Sequence, residues 1–130
     1  MSSIFSKIIA REIPAHIVAE DESFIAFLDI NPLVAGHTLV VPKQEVDYIY
    51  DLEDEVLAGL HIFSKKVAKA VEKAIPCVRI GVAVIGLEVP HTHVHLVPLN
   101  SMEDINFSRP KLHPSQDDLI RVAEKIKAAF

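Results

Sequence analysis

A single cysteine, Cys77, rules out an internal disulfide framework and fits a reducing compartment. No apolar run approaches the roughly 18 residues needed to cross a bilayer, so a spanning helix is excluded. Positive charge is scarce. Thirteen Lys and Arg stand against eighteen Asp and Glu, a net charge of −5, which argues against a nucleic-acid polymer as partner. No membrane partner is expected either, whereas a small anionic ligand is compatible, because a local pocket can be positive on an acidic protein. Repeats, low-complexity tracts and Gly/Ser linkers are absent, and only four glycines occur among 130 residues. What is present is apolar. With 50% hydrophobic residues the chain buries enough surface to offset ordering entropy, so one folded domain over 1–130 is expected. The N-terminal apolar run is interrupted by Lys7, Arg11 and Glu12 and makes a poor secretion signal; a cytoplasmic location is expected.

Periodicity predicts the elements. Phe5, Ile8, Ile9 and Glu12 fall at helical spacing over 4–12, and Ile13-Pro14 ends that segment. Strands are expected at 16–20, 23–29 and 37–42, with a turn at Asp21-Glu22 and a loop over 31–36. From 51 to 74, Leu52, Val56, Leu60, Phe63, Val67, Ala70, Val71 and Ala74 recur in steps of three and four, one apolar helical stripe. Acidic residues crowd its start and lysines its end, as the helix dipole favours. Strands follow at 78–85 and 91–98, then a helix over 116–129 capped by Ser115, with Leu119, Val122, Ala123 and Ile126 inward. This order predicts an α+β domain, an antiparallel sheet of about five strands with helices on one face. Its core is expected over about 4–98, with a C-terminal helical extension over about 115–130.

Three of the seven histidines, His91, His93 and His95, fall within five residues. Side chains alternate along a strand, so the three imidazoles share one face and Thr92, Val94 and Leu96 the other. Solvation alone does not explain the row, since Ser, Thr, Lys or Glu would serve equally well. A metal site needs imidazoles converging on one ion, yet at roughly 3.3 Å per residue the outer α-carbons are about 13 Å apart. The alternative is a nucleophilic imidazole beside others that hold a phosphate and move a proton.

The run His91-Thr92-His93-Val94-His95-Leu96-Val97 resembles the signature of the histidine-triad (HIT) superfamily, histidines alternating with apolar residues. Residues 4–20, 26–32 (AFLDINP) and 36–43 (GHTLVVPK) resemble the Hint-like, nucleotide-binding branch, in order and at its spacing. The resemblance spans about residues 4–98. It implies a HIT-like fold whose sheet continues across a homodimer. It also implies a hydrolase or transferase acting on the α-phosphate of nucleoside 5′-phosphoryl compounds, phosphoramidates or dinucleoside polyphosphates, without a cofactor. In that reading His93 is the nucleophile that becomes nucleotidylated, and His95 binds phosphate and assists the leaving group. His91 orients its neighbours, and His37 is a fourth histidine near the phosphate. Asp29, with Ile30 beside it, grips the ribose hydroxyls, and Phe5, Ile8, Ile13 and Phe27 wall the base. Taken alone, Asp29 before Asn-Pro reads as a turn cap. No metal ligand is assigned.

The stretch before the triad departs from the Hint-like pattern. Ile80 stands eleven residues before His91, where relatives carry Asn, and Leu87 and Glu88 follow Gly86, where relatives carry Gln-Ser. Donors are lost and a negative charge is added near an anionic substrate. Unit charges about 5 Å apart interact by roughly 3 kcal/mol at an effective dielectric near 20. Glu88 is therefore expected to favour neutral or cationic leaving groups such as amines. A catalytically weak nucleotide-binding module of the same fold and a metal-dependent His-cluster protein remain the alternatives.

Overall fold

A computed structural model describes residues 2–130. The element order is α1 (Ile4–Ile9), β1 (Ile17–Glu20), β2 (Phe24–Leu28), β3 (Thr38–Pro42), α2 (Asp54–Ala74), β4 (Arg79–Ala83), β5 (Val94–Leu99) and α3 (Gln116–Ala128), with short 3-10 turns at Ile49–Asp51 and Met102–Ile105. The five strands form one antiparallel sheet in the order β1-β2-β3-β5-β4. The α+β class and the strand number expected from periodicity are both found. No described helix is long and apolar enough to cross a membrane.

Strand alternation sorts the sheet residues into two clusters. Ala26, Leu28, Val40, Val94 and Leu96 point to the side covered by α2 and α3, where Leu60, Val67, Val71, Leu119 and Ile126 complete the main core. Ile25, Phe27, Leu39 and Val41 point the other way and meet Phe5 and Ile8 of α1. The expectation of helices on one face is thus corrected. Only α2 and α3 share a face; α1 lies on the opposite one, because the apolar pair Phe5 and Ile8 has a second apolar sheet surface to cover. The C-terminal helix supplies Leu119, Ala123 and Ile126 to the main core. Its Ser115 cap is as expected, the side chain accepting from the Asp118 amide.

Several boundaries move. α1 ends at Ile9, where the chain turns through Arg11 at φ 64°. α2 starts at Asp54 after the 3-10 turn, and β4 is confined to Arg79–Ala83. The largest change is at the triad. β5 begins only at Val94, because the ladder with β3 runs from Val40↔Val94 to Thr38↔Leu96. The residues before it are held otherwise: the His91 amide donates to the Val89 carbonyl at 2.8 Å, and the Thr92 amide and hydroxyl both donate to the Val46 carbonyl at 2.7 Å. Pro98 sits inside β5 beyond the last pair with β3, where the missing N–H breaks no bond of that ladder.

Candidate active site

His91, the first of the row, is fully buried, and both ring nitrogens are occupied. The Pro42 carbonyl can only accept, so Nε2–H donates to it at 2.8 Å; Nδ1 then accepts from the Ser3 hydroxyl at 2.7 Å. Ser3 is also the N-cap of α1, accepting from the Ser6 amide at 3.0 Å, and its own amide donates to the Glu45 carboxylate at 2.8 Å. The ring therefore ties α1 to the end of β3. Burial holds its pKa below the usual histidine value.

His93 uses one nitrogen only. Its Nδ1 lies 2.7 Å from the His91 carbonyl, so in the neutral ring the proton sits on Nδ1 and the Nε2 lone pair is free. Phe5 stands edge-on at 5.0 Å between ring centres, and His95 lies 4.8 Å away.

A backbone amide sets the tautomers of the other pair. The Leu33 N–H donates to His37 Nδ1 at 3.0 Å, which places the His37 proton on Nε2. That Nε2–H donates to His95 Nδ1 at 2.9 Å, so His95 in turn carries its proton on Nε2. Burial pushes the His37 pKa down to about 4 and that of His95 down to about 3, with further lowering by Lys111 and neighbouring histidines. Both rings are neutral near pH 7, so the 3.8 Å approach of His37 Nε2 to Asp29 is not an ion pair. Gly36, at φ +93°, sets the strand entry; a Cβ there would meet Ile75 Cγ1 at 2.8 Å.

Asp29 caps its turn, Oδ1 accepting from the Asn31 amide at 2.9 Å, as the local sequence suggests, but Oδ2 is left over. Burial raises its pKa, partly offset by that amide. Phe5, Ile8 and Phe27 form the small apolar cluster beside His93, with Ile13 packed against it, and Ile30 is 56% exposed at the rim. Gly86, at φ +71°, and exposed Glu88 lie in the loop before His91. Ile80 packs against the main core under α2, on the face away from His95; the residue across from His95 is Ala83.

Sequence reasoning missed Ser3, Ser6 and Glu45 around His91, Val89 in the small cluster, and two residues of the tail. Phe107 places its ring edge 4.8 Å from His95, and Lys111 lies beside it. The Ser-x-x-Ser spacing flanking Phe5 was a visible signal for a cap; nothing marked the tail residues. A cavity of about 480 Å3 adjoins Asp29 and His37, lined otherwise by Leu28, the loop after β2, the tail at 112–114 and α3. Asp29, His37 and His95 each offer one atom within 4.8 Å of one another, the one described grouping suited to a metal. An ion there would need the His37 Nε2 lone pair, and hence Nδ1–H facing the Leu33 N–H, donor against donor.

The neutral pair makes stability pH-dependent. An unfolded histidine titrates near 6.5. Below that pH the unfolded chain takes protons that native His37 and His95 refuse until about pH 4 and about pH 3, so stability falls on acidification. The slope reaches about 1.4 kcal/mol per pH unit for each ring. The melting temperature should drop between pH 7 and 5, where ordinary carboxylates stay ionised, and His37→Gln should flatten the slope. A melting curve unchanged over that range would contradict a buried neutral pair.

The protein belongs to the HIT family, whose domain profile matches residues 10–102. A Hit-like protein from Bartonella henselae superposes with a TM-score of 0.87 at 34% identity, covering 99% of this chain and 96% of that one. A zinc-bound histidine triad protein from Mycobacterium smegmatis gives 0.85 at 28% identity, covering 99% and 93%. The adenosine 5′-monophosphoramidase of Schizosaccharomyces pombe is 32% identical over 130 residues, 98% of each chain.

Proposed function

We propose that the protein is a nucleotidyl hydrolase or transferase in which His93 attacks the α-phosphorus of a nucleoside 5′-phosphoryl compound. The observation that carries this is the His93 ring, which donates from Nδ1 to the His91 carbonyl and has Nε2 free beside a second ring that offers an N–H. As Nε2 bonds to phosphorus, the bond to the leaving group breaks and its electron pair departs with that group; water then attacks phosphorus and frees the ring. His95 Nε2–H hydrogen-bonds the phosphoryl oxygen or the leaving atom. Asp29 Oδ2 accepts a ribose hydroxyl, and Phe5, Ile8, Ile13, Phe27 and Ile30 face the base. The phosphoramidase named in fission yeast supports this class of substrate. The chemistry needs no cofactor. A homodimer is part of the proposal: β4 leaves a sheet edge open, with Val78 and Val82 exposed along it, and a monomer mass in light scattering would remove that part.

The test is a thermal-shift series with purine and pyrimidine nucleoside monophosphates. A ligand at about 100 times its Kd adds roughly 2.7 kcal/mol to the native state. Nucleoside monophosphates should raise the melting temperature by several degrees, and unphosphorylated nucleosides should do so less. No shift with any nucleotide overturns the proposal.

A further inference from the structure

The tail carries a cation to the histidine pair. After β5 the chain turns at Met102–Ile105, held by the Ser101–Asp104 capping box, and doubles back along the sheet end. Phe107 presents its ring edge to His95 at 4.8 Å and to His37 at 6.1 Å. Lys111 folds over that ring, Nζ 5.9 Å from its centre, and donates to the Phe107 carbonyl at 2.7 Å and the Arg109 carbonyl at 3.4 Å. The next residue is pinned as well: the Leu112 amide donates to the Pro32 carbonyl at 2.9 Å, in the same loop that carries Asp29 and Leu33. Among the described residues no carboxylate pairs with Lys111. Two of its three N–H groups rest on carbonyls, which leaves one donor and the whole positive charge uncompensated. That charge is felt at Asp29, His37 and His95, whereas Glu88 is felt at Asp29 and not among the influences on either histidine.

We propose that Lys111 is the leaving-group cation of this site, fitting it to nucleoside 5′-phosphoryl substrates whose leaving group departs as an oxyanion, a phosphate of a polyphosphate or the carboxylate of an acyl phosphate anhydride. This rests on His93 as nucleophile. When Nε2 bonds to phosphorus, the bridging P–O bond breaks and its electron pair stays on the departing oxygen. That oxygen leaves unprotonated and negative, and the ammonium stabilises it without giving up a proton. Water then adds to phosphorus, the N–P bond returns its pair to the ring, and one water proton passes to solvent. An amine departs neutral after gaining a proton, so the ammonium does little for it. Glu88 acts in the opposite sense, from the exposed loop on the other side of the sequence triad.

The experiment compares kcat/KM for a nucleoside phosphoramidate, a dinucleoside polyphosphate and an acyl nucleotidylate in the wild type, Lys111→Met, Lys111→Arg and Glu88→Ser. Lys111→Met should lower the ratio of oxyanion to amine substrates roughly tenfold to a hundredfold. Lys111→Arg should restore most of it, and Glu88→Ser should raise it. The polyphosphate and acyl arms separate the two oxyanion sources. Equal loss on all three substrates marks Lys111 as a strut for the tail and overturns the proposal, as does an unchanged ratio. A wild type that cleaves the phosphoramidate alone overturns it too. A wild type that cleaves none of the three removes the His93 reading instead.

Discussion

Replacing His93 by alanine is expected to cut turnover by about a thousandfold or more while nucleotide binding persists. The ring makes one hydrogen bond, to the His91 carbonyl, and its other nitrogen bonds nothing. What the substitution removes is the Nε2 lone pair, for which neither neighbour substitutes. His95 Nε2 carries a proton, because the Leu33 amide orders the tautomers from His37 outward, and the His91 nitrogens are both engaged. In the proposed function binding rests on other groups, Asp29 and the residues Phe5, Ile8 and Phe27, which form one apolar cluster. Single-turnover release of the leaving group and calorimetric titration with a nucleoside monophosphate read the two properties separately. Turnover within tenfold of the wild type would remove His93 as the nucleophile.

His91→Ala should act differently, through stability. The substitution strands the Pro42 carbonyl and the Ser3 hydroxyl in a buried place and leaves a void against Phe5, whose ring lies 5.9 Å from that of His91. Unmet hydrogen bonds and a cavity of that size together cost about 3 kcal/mol, or about 10 °C in melting temperature for a domain of this length. Ser3→Ala removes one of those bonds and also the N-cap of α1, and should cost about 2 kcal/mol. Turnover should fall less than in His93→Ala, since the carbonyl that holds His93 belongs to the backbone and survives. Thermal melts beside activity measurements decide it. A His91→Ala protein as stable as the wild type yet as inactive as His93→Ala would place the ring at the substrate.

The two histidines thus differ in kind although the sequence writes them alike. Alternation at 91, 93 and 95 is visible in the chain, but the ladder with β3 starts at Val94; the His91 ring is placed by bonds to segments far away, and the His93 ring by the carbonyl of His91. Ser3 meets His91 across 88 residues, and its amide meets Glu45 across 42. No periodicity encodes such pairs. The same holds for Phe107 and Lys111, which follow a 3-10 turn and carry no repeating pattern; their place depends on how the chain returns past Pro32. Ile80 illustrates the converse. Counting residues puts it where relatives hold a polar group, yet its side chain packs against the main core, on the face of β4 opposite to Ala83, the partner of His95.

The chain by itself determined the element types, because apolar spacing of three and four along α2 makes one buried helical stripe, and the short continuous apolar runs of β2 and β3 suit strands buried on both faces. It also determined that imidazoles cluster before and within β5. Tertiary structure alone decided which nitrogen of each ring is free, since a tautomer follows from the partner that accepts or donates, and those partners come from the Ser3 cap of α1, the end of β3, the loop after β2 and the segment before β5. It likewise decided the sign of the charge beside the His37–His95 pair, because Coulomb interaction depends on distance in space and not on separation along the chain.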